Sequence, residues 1–251
     1  MVTDGTAKLA SDTAVNLGMT ERRLLARMPL HAITSVHGEA GLRERLLIEI
    51  AQFPAPDRIR AEGAIALMSR LHARDRRQRE PYANHLYRVT IRILSHYRVT
   101  DPDVTCAALL HDAVEDHAED IARHCDTRRS AFTILARQFG DRTAELVAAV
   151  TNPVYDPGRD KHQQYREHVI ASLDASPWAR VIKVSDFTDN AVGLFHTTGP
   201  KLPRLARKYR PLAPVLREFI LRPDTPLDHD VKFMIAGQLD KAEDRFAAIT
   251  N

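Results

Sequence analysis

No stretch of the 251-residue sequence approaches the run of about 18 apolar residues that a membrane-crossing helix requires. Its N-terminus also lacks the charged-then-apolar pattern of a secretion signal. No membrane association is expected, and the location is read as cytoplasmic. Cysteine is scarce: Cys106 and Cys125 are the only two, and neither has a CxxC partner or metal-finger spacing. A disulfide framework is excluded, and both are expected as reduced thiols. An excess of one charge is missing as well, since 36 Lys and Arg face 33 Asp and Glu for a net charge of +3. The surface is mixed rather than polycationic, so no nucleic-acid partner is demanded. Glycines number 10 and are scattered, and strand-like alternation persists nowhere.

Apolar spacing of three and four residues is abundant, and 44% hydrophobic content suffices for a sizeable core. It predicts helices over 21–28, 41–53, 58–74, 82–95, 131–139, 143–150, 161–173, 178–190 and 231–249. Gly140 stands as a C-cap, and the proline-bearing stretch 152–159 as a loop. The fold is therefore expected to be all-α. Residues 1–40 are read as an N-terminal extension and 41–251 as the main domain.

The stretch Leu109 to Asp116, LLHDAVED, concentrates the ionisable groups. On one continuous helix His111 and Glu115, and likewise Asp112 and Asp116, would stack on nearly one face. Ala107, Ala108, Leu109 and Leu110 before them predict burial, where unpaired carboxylates are costly and a bound cation is the simplest compensation. His111 and Asp112 are placed to reach one metal, leaving Glu115 and Asp116 to handle water. His85 on the preceding helix is a third candidate ligand, and Asp186 after the apolar Val181, Ile182 and Val184 completes a site of two His and two Asp. Arg74, Arg76, Arg77 and Arg79 crowd one loop, as forked donors suited to phosphate. Lys161, Tyr165 and Arg166 are positioned to line a cleft.

Four segments in order, EPYANHLYRVTIRIL, CAALLHDAVEDH, ARQFGDRTAELVAAVT and VIKVSDFTDNAVGL, resemble the hydrolase domain of the RelA/SpoT family, which includes stand-alone small alarmone hydrolases. The resemblance implies an all-helical HD-domain bundle with a mononuclear metal site that uses Mn²⁺ to remove pyrophosphate from the 3′ position of ppGpp or pppGpp. It implies metal ligation by His85, His111, Asp112 and Asp186, and water handling by Glu115 and Asp116. It further assigns substrate contacts to Arg76, Arg77, Lys161 and Tyr209, and nucleoside contact to Asn190. The synthetase domain of long family members has no counterpart in these 251 residues. Departures are His85-Leu86 for the usual His-Pro, Arg79 for a glycine, Arg77 for a lysine, Phe187-Thr188-Asp189 after the last Asp, and Gly193 for a threonine. They bear on loop shape, phosphate contacts and base recognition more than on the metal. Two alternatives stay open. One is hydrolysis of another purine nucleotide or NADPH on the same fold, and the other is a regulatory or toxin-neutralising protein that meets a partner through the N-terminal extension. The oligomeric state is not legible.

Overall fold

The computed structural model describes residues 18–77, 80–122, 127–192 and 201–250. Cys125, Arg79, Gly193 and residues 1–17 lie outside the described residues. Helices dominate what is described. In chain order they are α1 (Met19–Leu25), α2 (Leu30–Ile50), α3 (Ala55–Leu71), α4 (Ala83–Ile91), α5 (Pro102–Leu110), α6 (Ala113–Ile121), α7 (Thr127–Phe139), α8 (Asp141–Val150), α9 (Lys161–Ala175), α10 (Pro177–Val192), α11 (Lys201–Tyr209), α12 (Leu212–Leu221) and α13 (His229–Thr250). Among the described residues no strand forms, and the one isolated bridge joins Arg76 to Pro81. Among the described residues the all-α expectation is met.

Three helices form the centre, α5 against α4 and α10 against both. Asp101 starts α5 by accepting from the backbone N–H groups of Asp103 and Val104, and Pro102 occupies the first turn, where a missing N–H costs nothing. Every residue from Val104 to Leu110 is buried, so α5 is apolar all round, the pattern of a helix with neighbours on every side. Burial pushes the Cys106 thiol up to about 12, which leaves it a packing residue rather than a nucleophile. In α4 the residues Asn84 to Tyr87 and Val89 to Ile91 are buried, and in α10 the whole run from Ala179 to Asp189 is buried. Polar residues on these helices therefore lie inside the molecule, where each needs a partner.

Two features bend this scaffold. After α4 the chain continues as a π-helical turn, Arg92–His96, closed by Tyr97 N–H donating to the Arg92 carbonyl at 2.9 Å. Gly140 joins α7 to α8 with φ of 96°, a conformation that side chains rarely tolerate, in agreement with its expected capping role.

Helix boundaries differ from expectation at the N-terminus. The predicted division at 40/41 falls inside α2, just past a kink at Gly38 (φ 59°). Leu25, Leu30 and Ile33, on the expected extension, are buried in the same core as Leu42 and Leu46. Buried Arg45 also donates to the Leu25 carbonyl at 2.6 Å. Helix α12, not foreseen in the sequence, packs against α13.

Candidate metal centre and active site

The single helix expected through LLHDAVED is broken at its centre. Helix α5 ends at Leu110, His111 is its cap, and Asp112 (φ −98°, ψ −6°) precedes a new helix at Ala113. The break changes the geometry of the motif. His111 turns inward and is 2% exposed, whereas Glu115 and Asp116 lie at the surface on the first turn of α6.

His111 meets His85 from α4 and Asp186 from α10 beside Asp112. His111 Nε2 is 3.1 Å from Asp112 Oδ2 and 3.8 Å from Asp186 Oδ1, and His85 Nε2 is 3.3 Å from Asp186 Oδ1 and 4.0 Å from Asp112 Oδ2. Each imidazole is anchored through its other nitrogen. His111 Nδ1 donates to the Ala108 carbonyl at 2.8 Å, and His85 Nδ1 donates to Asp189 Oδ2 at 2.8 Å. Donation from Nδ1 leaves a lone pair on Nε2 in the neutral ring, and both buried Nε2 atoms lack a hydrogen-bond partner.

Two lone pairs facing two carboxylates require positive charge between them. Burial alone would lower the His111 pKa, yet Asp112 and Asp186 outweigh it and raise it to about 10. Burial likewise opposes charge on Asp112, and the neighbouring His111 holds it ionised. Two imidazoles and two carboxylates, the rings oriented by a carbonyl and a carboxylate behind them, suit a divalent metal.

The carboxylates are braced from outside. Tyr82 Oη donates to Asp112 Oδ2 at 2.6 Å, Asn190 Nδ2 to Asp186 Oδ1 at 2.5 Å, and the buried Lys183 Nζ to Asp186 Oδ2 at 3.1 Å. Sequence reasoning missed Tyr82 and Lys183 as site residues. Each stands three positions before a candidate ligand, one helical turn on the same face, and that spacing was the available signal.

Glu115 accepts from the backbone N–H of Asn152 at 3.2 Å and from its Nδ2 at 3.0 Å, which ties α6 to the loop after α8. Asp116, open to solvent on one side only, is raised to about 6 by partial desolvation and by the negative charges of Asp112 and Glu115. It can therefore gain or lose a proton near neutrality.

Of the two arginines expected to act together, only Arg77 reaches the site. It donates to Asn190 Oδ1 at 2.8 Å, and its guanidinium lies 5.1 Å from the centre of the Tyr82 ring. Arg76, whose backbone pairs with Pro81 in the isolated bridge, is exposed. Lys161 is exposed with its Nζ 5.5 Å from the Tyr155 ring centre. Tyr209 is buried edge-on against Phe187, and Lys208 lies over both Tyr209 and Tyr165 at 5.1 and 5.2 Å.

A second His/Asp group, His72, Asp75 and His117, also brings ligand atoms together. Its atoms are already bonded: His72 Nδ1 and His117 Nε2 each lie 2.7 Å from Asp75 Oδ2, and His117 Nδ1 lies 3.1 Å from Asp120 Oδ2. His72 stacks on Tyr82 with ring centres 4.9 Å apart, so this group supports the tyrosine that braces Asp112. The difference between the groups is that only the first leaves buried nitrogens unbonded.

An HD-domain family profile matches residues 64–169. The chain is 31% identical over 122 residues to guanosine-3′,5′-bis(diphosphate) 3′-pyrophosphohydrolase MESH1 of Drosophila melanogaster, a match covering 47% of this chain and 60% of that one. To the Danio rerio protein of the same name it is 37% identical over 107 residues, 42% of this chain and 51% of the other. An Aquifex aeolicus guanosine-3′,5′-bis(diphosphate) 3′-pyrophosphohydrolase is 27% identical over 186 residues, 70% of this chain and 24% of its own length. The matches thus span 60% or less of these curated relatives. A solved structure described as a metazoan ortholog of SpoT that hydrolyzes ppGpp superposes with a TM-score of 0.56 at 23% identity, over 77% of this chain and 97% of that one, a likeness of fold. With its motifs in order on this helical scaffold, the chain is similar to RelA/SpoT-type HD-domain hydrolases in sequence and in fold.

Proposed function

We propose that the chain is a metal-dependent hydrolase that converts ppGpp or pppGpp and water to GDP or GTP and pyrophosphate. The observation that carries the reading is the pair of unbonded, buried Nε2 atoms of His85 and His111 facing Asp112 and Asp186. The names of the sequence relatives supply the substrate class. Mn²⁺ is the proposed ion, held by His85, His111, Asp112 and Asp186, and it would acidify water and draw charge from a phosphoryl oxygen.

The remaining steps are assigned to the chain's own groups. Asp116, poised near 6, takes a proton from the attacking water, whose oxygen bonds to the 3′-linked phosphorus as the bond to the ribose O3′ breaks, and passes that proton on to the departing O3′. Glu115, held by Asn152, orients that water. Arg77 offers its fork to the diphosphate, with Lys183 and Lys208 adding positive charge nearby; Arg76, Lys161 and Tyr209 are outer contacts. Asn190 is already bonded to Arg77 and Asp186, so its contact with a nucleoside would require exchanging a bond. That observation keeps a second reading in play, hydrolysis of another purine nucleotide or NADPH.

We further read the chain as acting in the cytoplasm; no described helix is long and apolar enough to cross a membrane. Residues 41–251 are assigned as the hydrolase unit and 1–40 as an appended segment. Incubation of purified protein with Mn²⁺ and a panel of ppGpp, pppGpp, other purine nucleotides and NADPH, with products weighed by mass spectrometry, tests the proposal. GDP and pyrophosphate from ppGpp, abolished by a chelator, is the expected result. Turnover confined to another nucleotide would replace ppGpp, and metal-independent silence on every member would end the enzyme reading.

A further inference from the structure

Asp189 sits one turn beyond Asp186 on α10 and is 7% exposed. Its carboxylate accepts four hydrogen bonds. Oδ2 takes His85 Nδ1 at 2.8 Å and Arg88 Nη2 at 2.9 Å, and Oδ1 takes Arg88 Nε at 2.9 Å and Arg92 Nη2 at 3.0 Å. Neither guanidinium is free to drift. Arg88 also forks onto Glu80 at 2.8 and 2.7 Å, and Arg92 donates to the Ser185 carbonyl at 3.0 Å. Glu80 in turn accepts from Asn84, the residue before His85, at 3.0 Å.

A backbone feature explains how Arg92 reaches this group. The π-helical turn begins at Arg92, and its wider hydrogen bond, from Tyr97 N–H, shifts the side chains there relative to an α-helix. Such turns are rare and concentrate at functional sites. Here the turn starts with the guanidinium that holds Asp189 from the side away from His85.

We infer that Asp189, fixed by Arg88 and Arg92, is a positioning residue that holds His85 as its Nδ1–H tautomer and keeps the Nε2 lone pair directed at Asp186 and Asp112. The inference rests on the proposed metal centre and extends it to residues that touch neither metal nor substrate. A fully engaged carboxylate is a fixed acceptor, so the imidazole facing it is fixed in both rotation and tautomer. A buried residue serving only to pair charge would need the arginines but not the bond to His85. The corresponding role on His111 is filled by the Ala108 carbonyl, so the two rings are set by different means.

The test is Asp189→Asn, which keeps the shape but turns one acceptor into a donor facing donors. Two readouts are taken that do not depend on turnover. Competition with a chelator is expected to show Mn²⁺ affinity falling roughly 10- to 100-fold, the usual consequence of losing such a partner. Histidine ring ¹⁵N spectra of the metal-free protein are expected to show His85 as Nδ1–H in the parent and as a mixture of tautomers in the variant. Should the variant fail to fold, the parent spectrum still decides, because His85 protonated on Nε2 alone would overturn the inference. Equal metal affinity and an unchanged ring spectrum in a folded variant would overturn it too. Failure of ppGpp hydrolysis leaves both readouts intact, whereas a parent chain that takes up no divalent ion removes the site reading and this inference together.

Discussion

Asp112→Ala and Glu115→Gln separate the two jobs that the HD motif and the turn after it perform. Asp112 Oδ2 lies 3.1 and 4.0 Å from the two unbonded imidazole nitrogens, inside the proposed cage, whereas the Glu115 carboxylate is bonded to Asn152 outside it. A metal present at 100 times its dissociation constant stabilises the folded chain by about 2.7 kcal/mol. For a chain of this length each kcal/mol moves the melting temperature by about 2–4 °C. Adding Mn²⁺ to the chelated parent should therefore raise Tm by roughly 5–10 °C. In Asp112→Ala that rise should vanish, and the metal-free Tm should fall as well, because buried His111 and Tyr82 lose the carboxylate that pairs with them. Glu115→Gln should keep the full rise and lose on the order of 10²-fold in turnover, because the attacking water loses the carboxylate that orients it. Differential scanning fluorimetry with and without metal, alongside single-turnover kinetics, reads both effects. If Glu115→Gln loses the metal-dependent rise as completely as Asp112→Ala, Glu115 is a ligand and the division of roles is wrong.

Arg77→Ala should raise KM with little change in metal content, by roughly 10- to 150-fold if one charge-assisted bond of about 1.5–3 kcal/mol is lost, whereas Arg76→Ala should change it far less. Equal effects in steady-state kinetics would mean that both arginines hold phosphate. Asp116 has a raised folded pKa, so the metal-free native state binds more protons than the unfolded state between about pH 4 and 6 and loses stability as pH rises through that window. Asp116→Asn should flatten that fall in denaturant midpoints measured across it, and an identical slope in parent and variant would remove the coupling to Asp112 and Glu115.

Much of this was legible in the chain because helical burial is a local, periodic property. The apolar run before His111 forecast a buried helix, and α5 is buried throughout. Ligand-type residues at 85, 111, 112 and 186 stood on three such runs, so their convergence followed from packing those faces together. The misreading of LLHDAVED as one helix had the opposite cause. Neither His nor Asp breaks a helix by itself, and the break at 111–112 arises where α5, packed on α4 and α10, must stop for both side chains to enter the cage.

Sequence alone determined the class of fold, the four candidate ligands and the acidic pair beside them, because those depend on residue type and on spacing within a helix. Tertiary structure decided which ring nitrogens face the carboxylates, that Arg77 rather than Arg76 turns to the site, and that Tyr82, Lys183 and Asp189 brace it. Those choices depend on contacts between residues as far apart as His85 and Asp189, which no local pattern encodes.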